Sequence, residues 1–253
     1  MTRRPYVLLS AAMSADGYLD DASGQRLVLS GAEDLDRVDE LRAGCDAILV
    51  GATTLRRDNP RLRVRSGARR AARAGLGLPP GPVRVVLSGS GELDQGARFF
   101  AGDDGVERLA YVAAEVAERT ARRLGSAATV IGLPAGPGAG GGAGGGAGTL
   151  PLELVLADLA GRGTRRLMVE GGSAVLGQFL RDGLVDEFQL AVTPVLVGDP
   201  AAPRLVTLAD GGELGGGRPG AGVGGGSWPA GLALAEVSRA GQVAVLRYRL
   251  IGT

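Results

Sequence analysis

Two apolar runs, far apart in the chain, each stop abruptly in small, polar or acidic residues. The first is Asp46-Ala47-Ile48-Leu49-Val50-Gly51-Ala52-Thr53-Thr54 and the second is Leu167-Met168-Val169-Glu170-Gly171-Gly172-Ser173. Buried strands of an α/β sheet read this way, and such sheets bind ligands outside the carboxyl ends of their strands. Two such ends suggest a single cleft assembled from both halves of the chain.

Further runs fill in the alternation. Strands are expected over 6–12, 47–50, 83–87, 109–112, 128–131, 166–169, 188–192 and 242–250, and helices over 115–124, 151–161 and 174–181. The helix at 151–161 would take Pro in its first turn. Ser30 and Glu33 have capping-box spacing ahead of Leu35, Val38 and Leu41, which places another helix there. Asp16-Gly17 signals a tight turn, and 51–60 reads as a polar turn ending in Asn59-Pro60. Strands alternating with helices at this spacing imply an α/β fold with a largely parallel sheet and helices on both faces. Three stretches interrupt it: an Arg-, Ala- and Gly-rich loop at 66–82, and Gly-rich tracts near 132–148 and 211–227. The tracts are expected to be flexible surface insertions in a single domain spanning 1–253.

Composition excludes much chemistry. The chain has no histidine and one cysteine, Cys45, so an internal disulfide, thiolate or imidazole zinc sites and a Ser-His-Asp triad are all ruled out, and no metal site is expected. A formal net charge of +1 and nine aromatic residues (one Trp, four Tyr, four Phe) argue against nucleic-acid binding. No run is long and apolar enough for a membrane span, so no membrane partner and a cytoplasmic location are expected. Arg61, Arg63, Arg65, Arg69, Arg70 and Arg73 cluster, a run that reads either as solvated surface or as phosphate recognition.

The turn Glu170-Gly171-Gly172-Ser173 is the strongest local signal. Glycines between a strand and a helix let backbone approach a ligand, and the helix start offers free N–H groups to an anion. It lacks the Gly-x-Gly-x-x-Gly spacing, so it reads as a nucleotide or phosphate turn, or as a plain packing turn. Asp58 is either a salt-bridged turn residue or an acid near a reacting centre. Arg42 and Arg65 are surface charges or, if they converge, a bidentate phosphate clamp.

Taken together, Ala12-Met13-Ser14-x-Asp16-Gly17, the run from Asp46 through Gly51, Thr54, Asp58, Pro60 and Leu62 to Arg65, Val169-Glu170-Gly171-Gly172, Gly183-Leu184-Val185-Asp186-Glu187 and Pro194-Val195-Leu196-Val197-Gly198 resemble the reductase domain of the bifunctional deaminase–reductase of riboflavin biosynthesis. That resemblance implies a dihydrofolate-reductase-like fold, a mixed and mostly parallel sheet with helices on both faces, usually homodimeric. It implies NADPH at Ala12, Thr54, Asp58, Ser88, Gly171, Gly172, Ser173, Ala174, Val175 and Leu176. It implies a phosphorylated ribosylaminopyrimidine at Ser10, Arg42, Leu62, Arg65 and Glu170, with Asp58 and Glu170 as the catalytic pair. Relatives often carry Lys or Asn at the position of Ser10, and an aromatic residue at that of Val28. The absence of His-x-Glu and Cys-x-x-Cys leaves no zinc deaminase site, which implies a stand-alone reductase. The expected reaction is reduction of a 5-amino-6-(5-phosphoribosylamino)uracil-type substrate to its ribitylamino product. Alternatives are a reductase of a pterin or specialised-metabolite C=N bond, or a non-catalytic nucleotide-binding module.

Overall fold

The computed structural model describes residues 4–21, 23, 27–102, 104–134, 150–204 and 231–251. The chain divides into two compact units, one holding 38–168 and the other 6–37 with 169–253.

In the first unit, β2 (Ala47–Gly51), β3 (Val83–Ser88), β4 (Arg108–Ala113) and β5 (Thr129–Leu133) form a parallel ladder in that order. β2 is buried along its whole length and β3 and β4 nearly so, as strands covered on both faces must be. On one face Ile48, Val50, Val86 and Ala110 pack with Leu55 of α2 (Ala52–Asp58), Leu124 of α4 (Ala114–Leu124) and the Phe99–Phe100 pair. On the other face Tyr111 donates its hydroxyl to Asp158 of α5 (Leu152–Gly161) at 2.6 Å. Helices therefore cover both faces of this ladder.

Two stretches of this unit depart from expectation. Residues 52–58 of the polar turn form the helix α2, and the loop at 66–82 contains α3 (Gly67–Gly75). α3 separates its alanines from its arginines at helical spacing, but the side that packs inward is the polar one: Ala68, Ala71 and Ala72 are exposed, and the one buried residue is Arg73. That guanidinium donates to the carbonyls of Ala43, at 2.7 Å, Cys45, at 3.0 Å, and Pro79, at 2.8 Å, and so satisfies orphan acceptors where α1 (Ala32–Ala43) ends. The capping box at the start of α1 is also displaced. Leu35 N–H donates to the Gly31 carbonyl at 2.9 Å, so Gly31 rather than Ser30 occupies the cap. At α5, Pro151 is the cap residue instead of the first helical one.

In the second unit β1 (Tyr6–Ser14) runs parallel to β7 (Glu187–Thr193), which pairs antiparallel with β9 (Val243–Ile251). β9 pairs with β8 (Gly231–Ala240), a strand that the sequence pattern does not predict, through a two-residue turn that begins at Gly241 with φ 62°. Counting both units, four of these six strand pairings are parallel and two antiparallel, a mixed and mostly parallel arrangement. β6 (Arg166–Gly171) passes along the chain from the first unit into the second and leads to α6 (Ser173–Arg181). Gly132 and Leu133 belong to β5; residues 135–148 of the first expected insertion, and all of the second, lie outside the described residues.

Candidate active site

Within the first unit, β2 delivers its carboxyl end straight into α2, with Gly51 as the cap. Thr54 and Asp58, four residues apart on that helix, share one face and are both half-buried. The helix ends at Asn59 in the left-handed region, whose N–H returns to the Leu55 carbonyl at 3.1 Å. Leu62 also has positive φ, 47°, and its side chain is turned into the core with Leu55 and Val86, which leaves its backbone for any ligand contact. Gly51 pairs with Leu87, so Ser88 follows at the carboxyl end of β3. The Ser88 hydroxyl is buried and makes no hydrogen bond among the described residues, a state that costs about 1–3 kcal/mol unless a ligand completes it.

Arg42 and Arg65 are each anchored in another part of this unit. Arg42 closes α1 and reaches the Arg63 carbonyl at 3.4 Å. The backbone N–H of Arg65 donates to Asp39, and its guanidinium lies 3.7 Å from the same carboxylate. Asp39 further accepts from Ser66 N–H at 3.0 Å and from Arg69 at 3.1 Å. Burial alone would push the Asp39 carboxyl up. The two N–H groups and the Arg69 guanidinium outweigh that and hold it below the usual carboxylate range. Asp39 fixes the 63–66 segment; sequence reasoning misses it, and its only signal is its place one turn before Arg42.

Within the second unit, Ser10 is buried in β1 and Ala12 is half-buried there, opposite Ala191 of β7. Glu170, half-buried, ends the apolar part of β6. Gly171 has φ 151°, where a side chain would be strained, and Gly172 caps α6 without a side chain of its own. Its carbonyl accepts from Leu176 N–H at 3.0 Å, which fixes the start of the helix. Ser173 and Val175 are half-buried, Ala174 is exposed, and Leu176 is buried. The first turn of α6 is thus a set of N–H donors that no cap side chain covers, and an anionic phosphate suits them.

The other motif acids hold the fold. Asp16 accepts from the Ser14 hydroxyl at 2.6 Å, from Gly198 N–H at 2.7 Å and from Val197 N–H at 3.1 Å, tying the first turn to the 194–198 segment. The Ser14 hydroxyl bond leads the effects that lower its pKa to about 2. Asp186 accepts from Val7 N–H at 2.7 Å, and Glu187 from the Tyr6 hydroxyl at 2.8 Å, locking β1 to β7. Asp46 accepts from the N–H groups of Arg165 and Arg166, each at 2.9 Å.

The RibD C-terminal domain family matches residues 5–213, which takes in every one of these positions. The chain belongs to that family. As a member of the RibD C-terminal domain family it is similar over most of its length to archaeal proteins named 2,5-diamino-6-ribosylamino-4(3H)-pyrimidinone 5′-phosphate reductase. It is 35% identical to that of Archaeoglobus fulgidus, covering 82% of this chain and 87% of the relative. It is 37% identical to that of Methanothermobacter thermautotrophicus, covering 80% and 84%. Against the riboflavin biosynthesis protein RibD of Bacillus amyloliquefaciens, at 30% identity, it spans about half of the relative's length (50%). Among solved structures, a pyrimidine reductase-like protein from Corynebacterium diphtheriae shares the fold, with TM-score 0.76, 24% identity, and coverage of 98% of this chain and 93% of that one.

A nicotinamide cofactor suits two groups described above: the buried Ser88 hydroxyl that lacks a partner, and the glycine turn before α6. Among the described residues no cluster of three or more His, Cys, Asp or Glu could hold a metal ion, and no helix is long and apolar enough to cross a membrane.

Proposed function

We propose that this chain is a single-domain, cytoplasmic, NADPH-dependent reductase that converts a ribosylaminopyrimidine 5′-phosphate to the ribitylamino product in riboflavin biosynthesis. The observation that carries this reading is the strand–glycine–helix turn at Gly171-Gly172, in a chain that covers 87% of a relative named as the pyrimidinone phosphate reductase. Similarity over 82% of this chain and 87% of a relative named for the 2,5-diaminopyrimidinone favours that form of the substrate over the deaminated uracil.

When bound, NADPH would supply the hydride that ends on C1′ of the ring-opened ribosylamine, as a proton goes to the adjacent nitrogen. The chain's own groups bind and orient. The first-turn N–H groups of α6 hold cofactor phosphate, and the Ser88 hydroxyl gains its missing partner. Thr54 contacts the cofactor, as does the Ala12 backbone. Arg42 and Arg65 grip the substrate 5′-phosphate, with Asp39 keeping the Arg65 backbone in place. Glu170 binds polar groups of the pyrimidine, Ser10 and the Leu62 backbone complete the substrate contacts, and Asp58 positions the sugar and relays the proton. The test is oxidation of NADPH by the purified protein with the diaminopyrimidinone ribosylamine phosphate, its uracil counterpart and dihydrofolate in parallel. Turnover on a ribosylamine phosphate supports the reading; turnover on dihydrofolate alone, or on none, removes it. Asp58→Asn should cut turnover far more than NADPH affinity.

The assembly we infer is a homodimer. β8 is exposed almost throughout, with Leu232, Leu234 and Val237 open to solvent, and a second copy would cover them. Light scattering of the protein and of Leu234→Lys tests this, since the substitution should leave a monomer.

A further inference from the structure

The arginine cluster of the sequence splits in the structure. Arg73 serves α1, and Arg65 and Arg69 serve Asp39, but Arg63 and Arg70 line a cavity of about 370 Å³ with Arg84 and Asp104. It lies at the amino ends of β3 and β4, beside Pro82 and Val106. Ser88, at the carboxyl end of β3, is four residues beyond Arg84, roughly 13 Å along the strand. The cavity is therefore at the opposite end of the ladder from the proposed cofactor groups.

Among the described residues its charges do not balance. Asp104 is the one carboxylate in the lining among the described residues, and it is shared by three guanidiniums. Arg63 Nε lies 3.0 Å from it and Arg108 3.2 Å, and Arg84, buried, makes a short contact. Among the described residues Arg70 answers no carboxylate; it donates to the Val64 carbonyl at 3.0 Å and to that of Arg65. The Nε–H groups of Arg63, which lines the cavity, and of Arg108, which does not, are buried and make no hydrogen bond with any described residue, the Arg63 group lying near Asp104 but off the hydrogen-bond direction. Burial draws the Arg84 guanidinium below its usual range; Asp104 opposes this, while Arg108 and Arg63 reinforce it. Like charges gathered around spare donors are what a bound oxyanion would neutralise.

We propose that this cavity binds a small phosphate monoester, its phosphate held by Arg63 and Arg70, with the buried Arg84 adding positive charge behind them, and its organic body against Val64, Pro82 and Val106. Phosphate alone fills only part of the volume, and those side chains give the remainder apolar walls. The site is separate from the Arg42–Arg65 clamp and does not depend on the reductase reading.

The probe is inorganic phosphate, titrated calorimetrically into the full chain at constant ionic strength. In Arg42→Ala/Arg65→Ala, where the substrate clamp is gone, one phosphate per chain should still bind. In Arg63→Ala/Arg70→Ala that binding should weaken at least tenfold. Should the double variant fail to fold, Arg70→Glu, at an exposed side chain, should show the same loss. Loss of all phosphate binding in Arg42→Ala/Arg65→Ala, or wild-type binding in the cavity variants, would overturn the site. Reductase activity enters neither arm, so failure here and failure of the proposed function remain distinct.

Discussion

Asp39 shows how a single side chain can prepare a site without touching the ligand. Its carboxylate accepts from two backbone N–H groups and one guanidinium, and these outweigh the burial that would otherwise raise its pKa. With the folded pKa below the unfolded value of about 4, its stabilisation is complete above that value and is lost as pH falls through the folded pKa. Asp39→Ala should therefore lower stability by about 3 kcal/mol at neutral pH, where three donors lose their acceptor. Urea titrations should show the gap to wild type closing below pH of about 4. Ser88 presents the opposite case. Ser88→Ala removes an unsatisfied buried hydroxyl, so its melting temperature should equal or slightly exceed that of wild type, while the KM for NADPH rises about tenfold. A loss of stability without a change in KM would make Ser88 a packing residue.

At the scale of elements, legibility follows the source of each element's stability. β2, the 85–87 run of β3 and the 109–113 run of β4 are almost wholly apolar and are readable because burial on both faces leaves no other pattern. The Gly171-Gly172 turn is readable because it breaks such a run. α3 is not, since its alanines are exposed and a buried arginine anchors it, the reverse of the pattern in which apolar side chains mark the inward face. β8 is hidden for another reason. Its Gly-Leu-Ala-Leu-Ala-Glu start is rich in helix formers, its apolar side chains face outward, and pairing with β9 makes it a strand. The turn tying Asp16 to 197–198 joins residues too distant for any local pattern. Arg73→Met keeps much of the bulk of the side chain but strands three carbonyls, and should cost about 3 kcal/mol by chemical denaturation. Exposed Arg70→Met should cost far less. Equal losses would mean that α3 is held by something other than its buried guanidinium.

At the scale of the whole molecule, one unit holds an unbroken run from residue 38 to 168 together with residues 1–5, and that run interrupts the other unit. Val7 of β1 meets Asp186, beside its partner strand β7, across 179 positions of chain. This arrangement has a consequence during synthesis. At the usual pace of translation, roughly 10–35 s separate the emergence of β1 from that of β7. Until β7 emerges, Leu8 and Leu9 lack their partners on it, while before then the parallel ladder of β2 to β5 has gained all its members. A ribosome-bound chain stalled before residue 187 should resist protease over 38–168 and be cut within 6–37, and protection of both regions would contradict that order. The nascent amino terminus is accordingly the part of this protein with most to gain from a chaperone.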